Sequence, residues 1–243
     1  MDAPLLAALA AAIAPGGRIE RGTGAAAIGA DSARLEEMLA REGEAAELRL
    51  WTNRQCLVTT RRFARLDRFE AAAAASAARG WPVFVRASGG TTVVHRPGIL
   101  NVSLLMVRRA GAVDIDRGYA GLGRRLVAAL AALGVAARVG PVPGSYCDGR
   151  HNIVAGARKV AGTACLLRPA GARIGLLAHA AVTVTGDVFG DVAAVACFEA
   201  DLGLRPAYDA AAHASLAELM RAETMPAPRG CSSTAEQKLF KIL

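Results

Sequence analysis

The chain has 243 residues, 53% hydrophobic and 21% charged, enough apolar material for one large α/β domain or two small ones and too much for a disordered chain. Its net charge of +8 points to an acidic partner, but the arginines are scattered and aromatic residues make up only 5%, which discounts nucleic acid, and an acidic protein fits at least as well. No run of about 18 residues is both strongly apolar and free of charge, which argues against a membrane span.

Residues 1–30 form an Ala/Gly-rich lead-in. Leu5–Ala14 has no basic residue ahead of it and reads as a short helix rather than a secretory signal. A loop through Gly22-Thr23-Gly24 follows. Asp31 or Ser32 is expected to cap the next helix, with Leu35, Met38 and Leu39 on its buried face. Leu48–Trp51 reads as a strand and Gln55–Thr60 as its partner. Phe69–Arg79 is an alanine-rich helix stopped by Gly80. Pro82–Arg86 is a short strand that leads into the loop Ala87–Thr91. Thr91–Val94 and Ile99–Val107, rich in β-branched residues, read as further strands.

Arg117–Leu133 is an amphipathic helix and Val135–Val139 a strand. Pro141 and Pro143 frame a loop that delivers Tyr146 and Cys147. Asn152–Ala155, Lys159–Leu167 and Ile174–Thr185 read as strands, the first two turned by Gly156-Ala157. Asp191–Leu202 and Ala212–Arg221 close the chain as helices. The segment 225–243 is expected to be a flexible tail, which leaves 1–224 as a single domain. Helices flanking consecutive strands predict an α/β (α+β) fold with a mixed, largely antiparallel sheet.

Five cysteines (Cys56, Cys147, Cys165, Cys197, Cys231) are an odd number without a CxxC pair, which suits a reduced cytoplasmic protein and gives no metal site. Of 29 basic residues only Lys159, Lys238 and Lys241 are lysines. A chain so biased to arginine that keeps one lysine in its body suggests that arginine will not do there, although coding bias could also leave a stray lysine.

Three segments carry candidate chemistry. Arg86-Ala-Ser88-Gly89-Gly90 could cradle an anion or serve as an ordinary turn. His95-Arg-Pro-Gly-Ile-Leu-Asn101 offers a histidine at a strand end. Gly144-Ser-Tyr146-Cys147 lies twelve residues before Lys159, and an ammonium near a thiol favours the reactive thiolate. Cys56, Cys165 and Cys197 read as inert core fillers.

Together these segments resemble the lipoate–biotin protein ligase and transferase superfamily over roughly residues 31–205. The resemblance rests on Arg86–Asn101 and on Lys159-Val-Ala-Gly162-Thr163-Ala164, with Leu35-Glu-Glu37 and Leu48–Trp51 upstream. It implies a catalytic domain like those of biotin ligases and class II aminoacyl-tRNA synthetases. Gly144-Ser-Tyr-Cys147 is similar to the cysteine-dependent octanoyl/lipoyl transferase (amidotransferase) branch. Gly149-Arg-His-Asn152 matches the ATP-dependent ligases only in part, and His179-Ala-Ala-Val-Thr183 departs from their His-Gly-Thr-Leu-Leu. The biotin ligases' Gly-Arg-Gly-Arg-x-Gly-Arg element is absent.

The resemblance implies octanoyl or lipoyl transfer to a lysine of a lipoyl-carrier domain. Cys147 is the implied nucleophile, and Lys159 the donor to the oxyanion. Arg86, Ser88, Gly89, Gly90, His95, Asn101, Tyr146, Asn152, Gly162 and Thr163 are the implied substrate-binding residues, His95 as proton relay or tunnel wall. Partners would be acidic lipoyl-carrier domains (2-oxoacid dehydrogenase E2 subunits, glycine-cleavage H protein) or acyl carrier protein, with no cofactor required. An ATP-dependent lipoate ligase, using ATP and Mg, and a non-catalytic acyl- or carrier-binding protein are the alternatives.

Overall fold

Alternating apolar side chains build the centre of the main sheet, because successive residues of a strand face opposite layers. In the computed structural model, which describes residues 2–224, helix α1 (Asp2–Ile13) leads to strand β1 (Ile19–Arg21), helix α2 (Gly24–Ala40), and strands β2 (Ala45–Thr52) and β3 (Cys56–Thr60). Helix α3 (Phe69–Ala78), strands β4 (Val83–Arg86), β5 (Val93–His95) and β6 (Ile99–Arg109), and helix α4 (Ile115–Ala132) follow. Strands β7 (Arg138–Gly140), β8 (Asn152–Ala155), β9 (Arg158–Ala170) and β10 (Arg173–Thr183) precede helices α5 (Val188–Asp201) and α6 (Leu216–Thr224). The fold is mixed α/β with a mainly antiparallel sheet flanked by helices, as the pattern predicts.

The main sheet runs β1-β2-β6-β10-β9-β8-β7, and only the β1–β2 pair is parallel. Along β10, Leu176, Ala178, Ala180 and Val182 face α1 and α4, where Leu9, Ile13, Leu122 and Leu126 complete a core. Leu177 faces the other way, onto α2 through Leu35, Met38 and Leu39. That second face also presents His179 and Ala181, by the same alternation. A small sheet, β4-β3-β5, packs with α3 and α5 around Leu57, Val94 and Phe198.

Two expectations are overturned. Gln55–Thr60 does not pair with Leu48–Trp51: β2 lies in the main sheet and β3 in the small one. The three-residue connection is held by Asn53, whose buried Oδ1 accepts from Gly24 N (2.7 Å) and Arg54 N (2.9 Å), so the chain turns along the start of α2 instead of folding back as a hairpin. Nor do Asp31 and Ser32 cap a helix. α2 begins at Gly24, and Asp31 lies inside it, spent on Arg49 Nη1 and Ser103 Oγ at 2.8 and 2.7 Å.

Smaller shifts occur elsewhere. The last helix begins at Leu216, after a 3-10 turn at Ala210–Ala212 and an extended stretch whose His213 bridges Lys159. α5 starts three residues earlier than expected, at Val188, with Asp187 as its cap; Asp191 is buried against Arg96 at 2.6 Å. The expected tail at 225–243 lies outside the described residues. Among the described residues no helix is long and apolar enough to cross a membrane.

Candidate active site

Strand β4 ends on Arg86, in parallel register with Thr60 of β3. The buried guanidinium then does what a lysine could not, because a planar fork reaches several acceptors at once. Its Nη1 donates to Val58 O (2.7 Å) and its Nη2 to Gly89 O (3.0 Å) and Thr91 O (2.8 Å). Arg86 thereby clasps the loop 87–91. Gly90 sits at φ +100, and a Cβ there would lie 2.9 Å from both Arg86 Nη2 and Cys147 Sγ. The absent side chain is what lets the thiol approach the loop, where Thr91 N donates to Cys147 Sγ at 3.2 Å.

Cys147 has φ 47, the only non-glycine residue with positive φ among those described. Such a left-handed backbone costs about 1–2 kcal/mol and needs external support. Lys159 supplies it: Nζ donates to Tyr146 O (2.6 Å) and Cys147 O (2.9 Å), spending two of its three donors. Asp148 fixes the other side of the turn, accepting on one carboxylate oxygen from Val142 N, Gly149 N and Asn152 Nδ2, each at 2.8 Å. Tyr146 stacks on His213 at 4.4 Å, and its N–H donates to His213 Nε2.

A β-bulge delivers Lys159. Ile153 pairs with Ala161 but Val154 with Lys159, so Val160 is an extra residue. Val160 and Ala161 both enter the α1–α4 core. Lys159 consequently points to the opposite side, with Gly162. A Cβ at 162 would lie 3.3 Å from Lys159 Cε and 3.4 Å from Nζ.

The electrostatics favour a thiolate. Burial pushes the Cys147 thiol up, but Arg86, Lys159 and the Thr91 donors outweigh it and hold it below its ordinary value. Burial draws Lys159 down to about 8, against the pull of Cys147 and Asp148. Cys56 and Cys165 go the other way, pushed up to about 12 by burial.

Cys147 lies between two spaces. On one side is a narrow, partly enclosed chamber walled by Trp51, Val58, Val93, Leu177 and Ala181 among others. Its polar wall is already engaged: Ser88 Oγ and His179 Nε2 are 2.7 Å apart, and Trp51 Nε1 donates to Ser103 Oγ, which donates to Asp31. His95 lies edge-on to Trp51 with ring centroids 5.3 Å apart, and its Nδ1 has no protein partner. Burial, with the Arg86 charge, holds His95 and His179 down to about 3, so both rings are neutral. On the other side is an open cleft lined by Gly89, Gly90, Tyr119, Asp148–Asn152 and Thr163. There Tyr119 stacks on His151 at 4.0 Å.

Residues 27–201 match the family described as lipoyl protein ligase A/B catalytic domain. The chain belongs to this family. It is 39% identical over 138 residues to an octanoyl-GcvH:protein N-octanoyltransferase of Kyrpidia tusciae, a match covering 53% of this chain and 48% of the relative. It is 36% identical over 205 residues to an uncharacterized protein of Cupriavidus necator, covering 79% and 80%. A solved structure of lipoate-protein ligase A bound with ATP shares the fold, with a TM-score of 0.62 over 83% of this chain and 76% of that one at 21% identity. The chain spans about half the length of the octanoyltransferase relatives it matches.

Within this lipoyl ligase-family domain, the residues singled out from sequence divide by location. Arg86, Ser88, His95, Gly162 and Thr163 line the chamber with Cys147, while Gly89, Gly90 and Asn152 line the cleft. Lys159 sits behind Cys147, held to its backbone. Tyr146 packs into the small-sheet core and meets Lys159 both through its carbonyl and through its ring, 5.2 Å from Nζ. Asn101 is buried in β6 in register with Trp51 and Ala181, outside the chamber lining. Sequence reasoning missed Thr91, Asp148, His213 and the Asp31–Arg49 pair. His179 entered it only as a departure from the ligase pattern, and its place on the chamber face of β10 was the unread signal. Among the described residues no three of His, Cys, Asp and Glu gather around a metal-sized space.

Proposed function

We propose that this chain is an acyltransferase that moves an octanoyl or lipoyl group onto a lysine of a lipoyl-carrier domain through a thioester on Cys147. The observation that carries the reading is the thiol's setting: an activated sulfur, held in a strained turn by Lys159, at the seam between an apolar chamber and an open cleft. The octanoyltransferase relatives support it.

The acyl chain occupies the chamber, where burying each methylene contributes about 0.8 kcal/mol. The Cys147 thiolate attacks the donor carbonyl, and Lys159, which has one Nζ donor left, is the proposed donor to the oxygen on which charge develops. The bond from the acyl carbon to the donor's nitrogen or sulfur breaks, the leaving group takes a proton from solvent, and the acyl group remains on Sγ. A neutral lysine amine of the acceptor carrier then enters by the cleft and attacks the thioester. The C–S bond breaks, the amide forms, the amine proton departs to solvent, and the thiolate is restored. Every bond made replaces one broken, so the exchange asks for neither ATP nor metal. This chemistry suits a reducing, cytoplasmic compartment, where Cys56, Cys147, Cys165 and Cys197 stay as free thiols. The partners are acidic lipoyl-carrier proteins such as the glycine-cleavage H protein or E2 lipoyl domains, with acyl carrier protein as a further candidate donor.

Intact-protein mass spectrometry of wild type and Cys147→Ala, each mixed with octanoylated H protein without ATP, tests this. An octanoyl mass gain on wild type alone is expected. Full transfer by the variant overturns the mechanism, and product that forms only with ATP and free lipoate points to ligase chemistry instead.

A further inference from the structure

The turn between β3 and α3 carries charge for which the site has no use. Arg61, Arg62, Arg65 and Arg68 are all exposed. Some exposed or half-buried arginines elsewhere hold carboxylates, as Arg79 does Asp201 and Arg158 does Glu218. These four hold none among the described residues; Arg62 lies over the Phe63 ring at 5.2 Å, and Arg68 reaches along the exit of α5 near Gly203. Asp67 and Glu70 are exposed in the same segment and leave it net positive.

The turn is anchored, and it leaves the same sheet edge as the loop that touches the thiol. Phe63 is buried, and Leu66 N closes a 3-10 turn onto Phe63 O at 3.0 Å. Thr60, the last residue of β3, is in parallel register with Arg86, the last of β4. The two strands therefore end on one edge, about 5 Å apart. One continues into the loop around Cys147 and the other into the arginines.

We propose that Arg61, Arg62 and Arg65 form a docking surface for an acidic face of the carrier protein, which brings the carrier's lysine arm to the Cys147 cleft. This rests on the acyl-transfer function proposed for the chain. Guanidinium forks take carboxylates two bonds at a time, and a patch of one sign raises encounter rates in a way that salt suppresses. An anchored turn beside the reactive loop also sets the register of the arm, which a diffuse net charge would not.

The test compares wild type, Arg61→Glu/Arg65→Glu, and a control, Arg41→Glu/Arg109→Glu. The control changes the same charge at exposed positions by the β9–β10 turn, about 20 Å along β10 from His179. Transfer from octanoylated H protein is measured at about 20 mM and about 300 mM salt, beside acyl-enzyme formation from a small octanoyl thioester. The first variant should lose about tenfold or more in kcat/KM at low salt and show a flatter salt dependence. Its reaction with the small thioester should stay within about twofold of wild type, as should the control in both assays. Equal losses in variant and control would reduce the effect to net charge and overturn the proposal. A matching loss with the small thioester would make the turn a prop for the site and overturn it equally. Direct binding of H protein, followed by fluorescence anisotropy, separates docking from chemistry. If wild type forms no acyl-enzyme yet binds the carrier through these arginines, the chemistry fails and the surface stands. A single-stranded RNA that binds more tightly than H protein and loses affinity in the first variant would assign the patch to nucleic acid and overturn the proposal.

Discussion

Replacing Lys159 by arginine keeps its charge and should still disable the site. The ammonium reaches two carbonyls at 2.6 and 2.9 Å from a position only 4% exposed. Gly162 leaves so little room that a Cβ there would lie 3.3 Å from Lys159 Cε. A guanidinium must place extra heavy atoms where packing has closed, at about 1–3 kcal/mol. Losing one of the two charge-assisted hydrogen bonds adds about 1.5–3 kcal/mol. In a domain of this size 1 kcal/mol is about 2–4 °C, so the melting temperature should fall by on the order of 10 °C. The second effect is on the turn: with its carbonyl released, Cys147 leaves φ 47 and the thiol leaves Thr91. Under the proposed mechanism, acyl-enzyme formation should then drop on the order of 100-fold, because the thiol is misplaced rather than discharged. Lys159→Met separates the two causes. It removes the charge, so the pH midpoint of Cys147 alkylation by iodoacetamide should rise toward the ordinary cysteine value, whereas in Lys159→Arg it should move little. A Lys159→Arg protein with wild-type melting and wild-type acylation would refute the steric argument.

Gly90→Ala should slow acyl-enzyme formation by about tenfold or more, since its methyl group would lie 2.9 Å from Cys147 Sγ on a backbone that alanine avoids; stopped-time mass spectrometry reads this directly. Asp31→Ala should destabilise the protein in urea by about 3–5 kcal/mol, because it leaves buried Arg49 with only half-exposed Glu20 as counter-charge; a loss below about 1 kcal/mol would mean that Glu20 suffices. Acid should weaken the fold through its buried histidines. Burial and the Arg86 charge hold His95 and His179 down to about 3, and burial and Lys159 hold His213 down to about 4, whereas each binds a proton near 6.5 when unfolded. Below pH 6.5 the unfolded chain therefore carries more protons, and stability falls with pH until the folded values are reached. Urea titrations at pH 7 and pH 5 should differ by about 1–2 kcal/mol per histidine, and His179→Gln should reduce that difference.

Local pattern was enough for most of the main sheet, because β6, β9 and β10 are long and rich in β-branched and leucine residues and their turns fall at glycines. It failed where a polar side chain chose a distant partner. Asp31, a polar residue ahead of an apolar run, has the look of a helix cap, but Gly24–Ala30 is alanine-rich enough to extend the helix back past it, and Arg49 claims its carboxylate. Gln55–Thr60, three residues after a strand, has the spacing of a hairpin, yet Asn53 ties the connection to α2 and sends β3 into another sheet. In both, the partner that claims the side chain is set by tertiary packing, although the alanine-rich run before Asp31 was a local trace of the longer helix. The site was legible as three motifs and illegible as a geometry. His179 needs the register of β10 before it can be seen opposite Ser88, and no periodicity announces the extra residue at Val160.

That extra residue explains why a lysine is kept in an arginine-rich chain. With regular alternation, Lys159 would point into the core shared by α1 and α4, where a charge would be ruinous. The bulge turns it instead toward a gap bounded by Gly162 and by the carbonyls of Tyr146 and Cys147. A slim stem with a compact, three-donor head fits that gap, and a planar fork does not. Arg86, whose fork sits among carbonyls on several sides, shows the opposite match. The two cations flanking Cys147 are thus not interchangeable: one holds the loop against which the thiol rests, and the other holds the backbone of the thiol itself. Swapping them, with Arg86→Lys and Lys159→Arg in one protein, preserves every charge around the sulfur and should abolish acylation while leaving the secondary structure by circular dichroism intact. An active swapped protein would mean that charge alone organises the site.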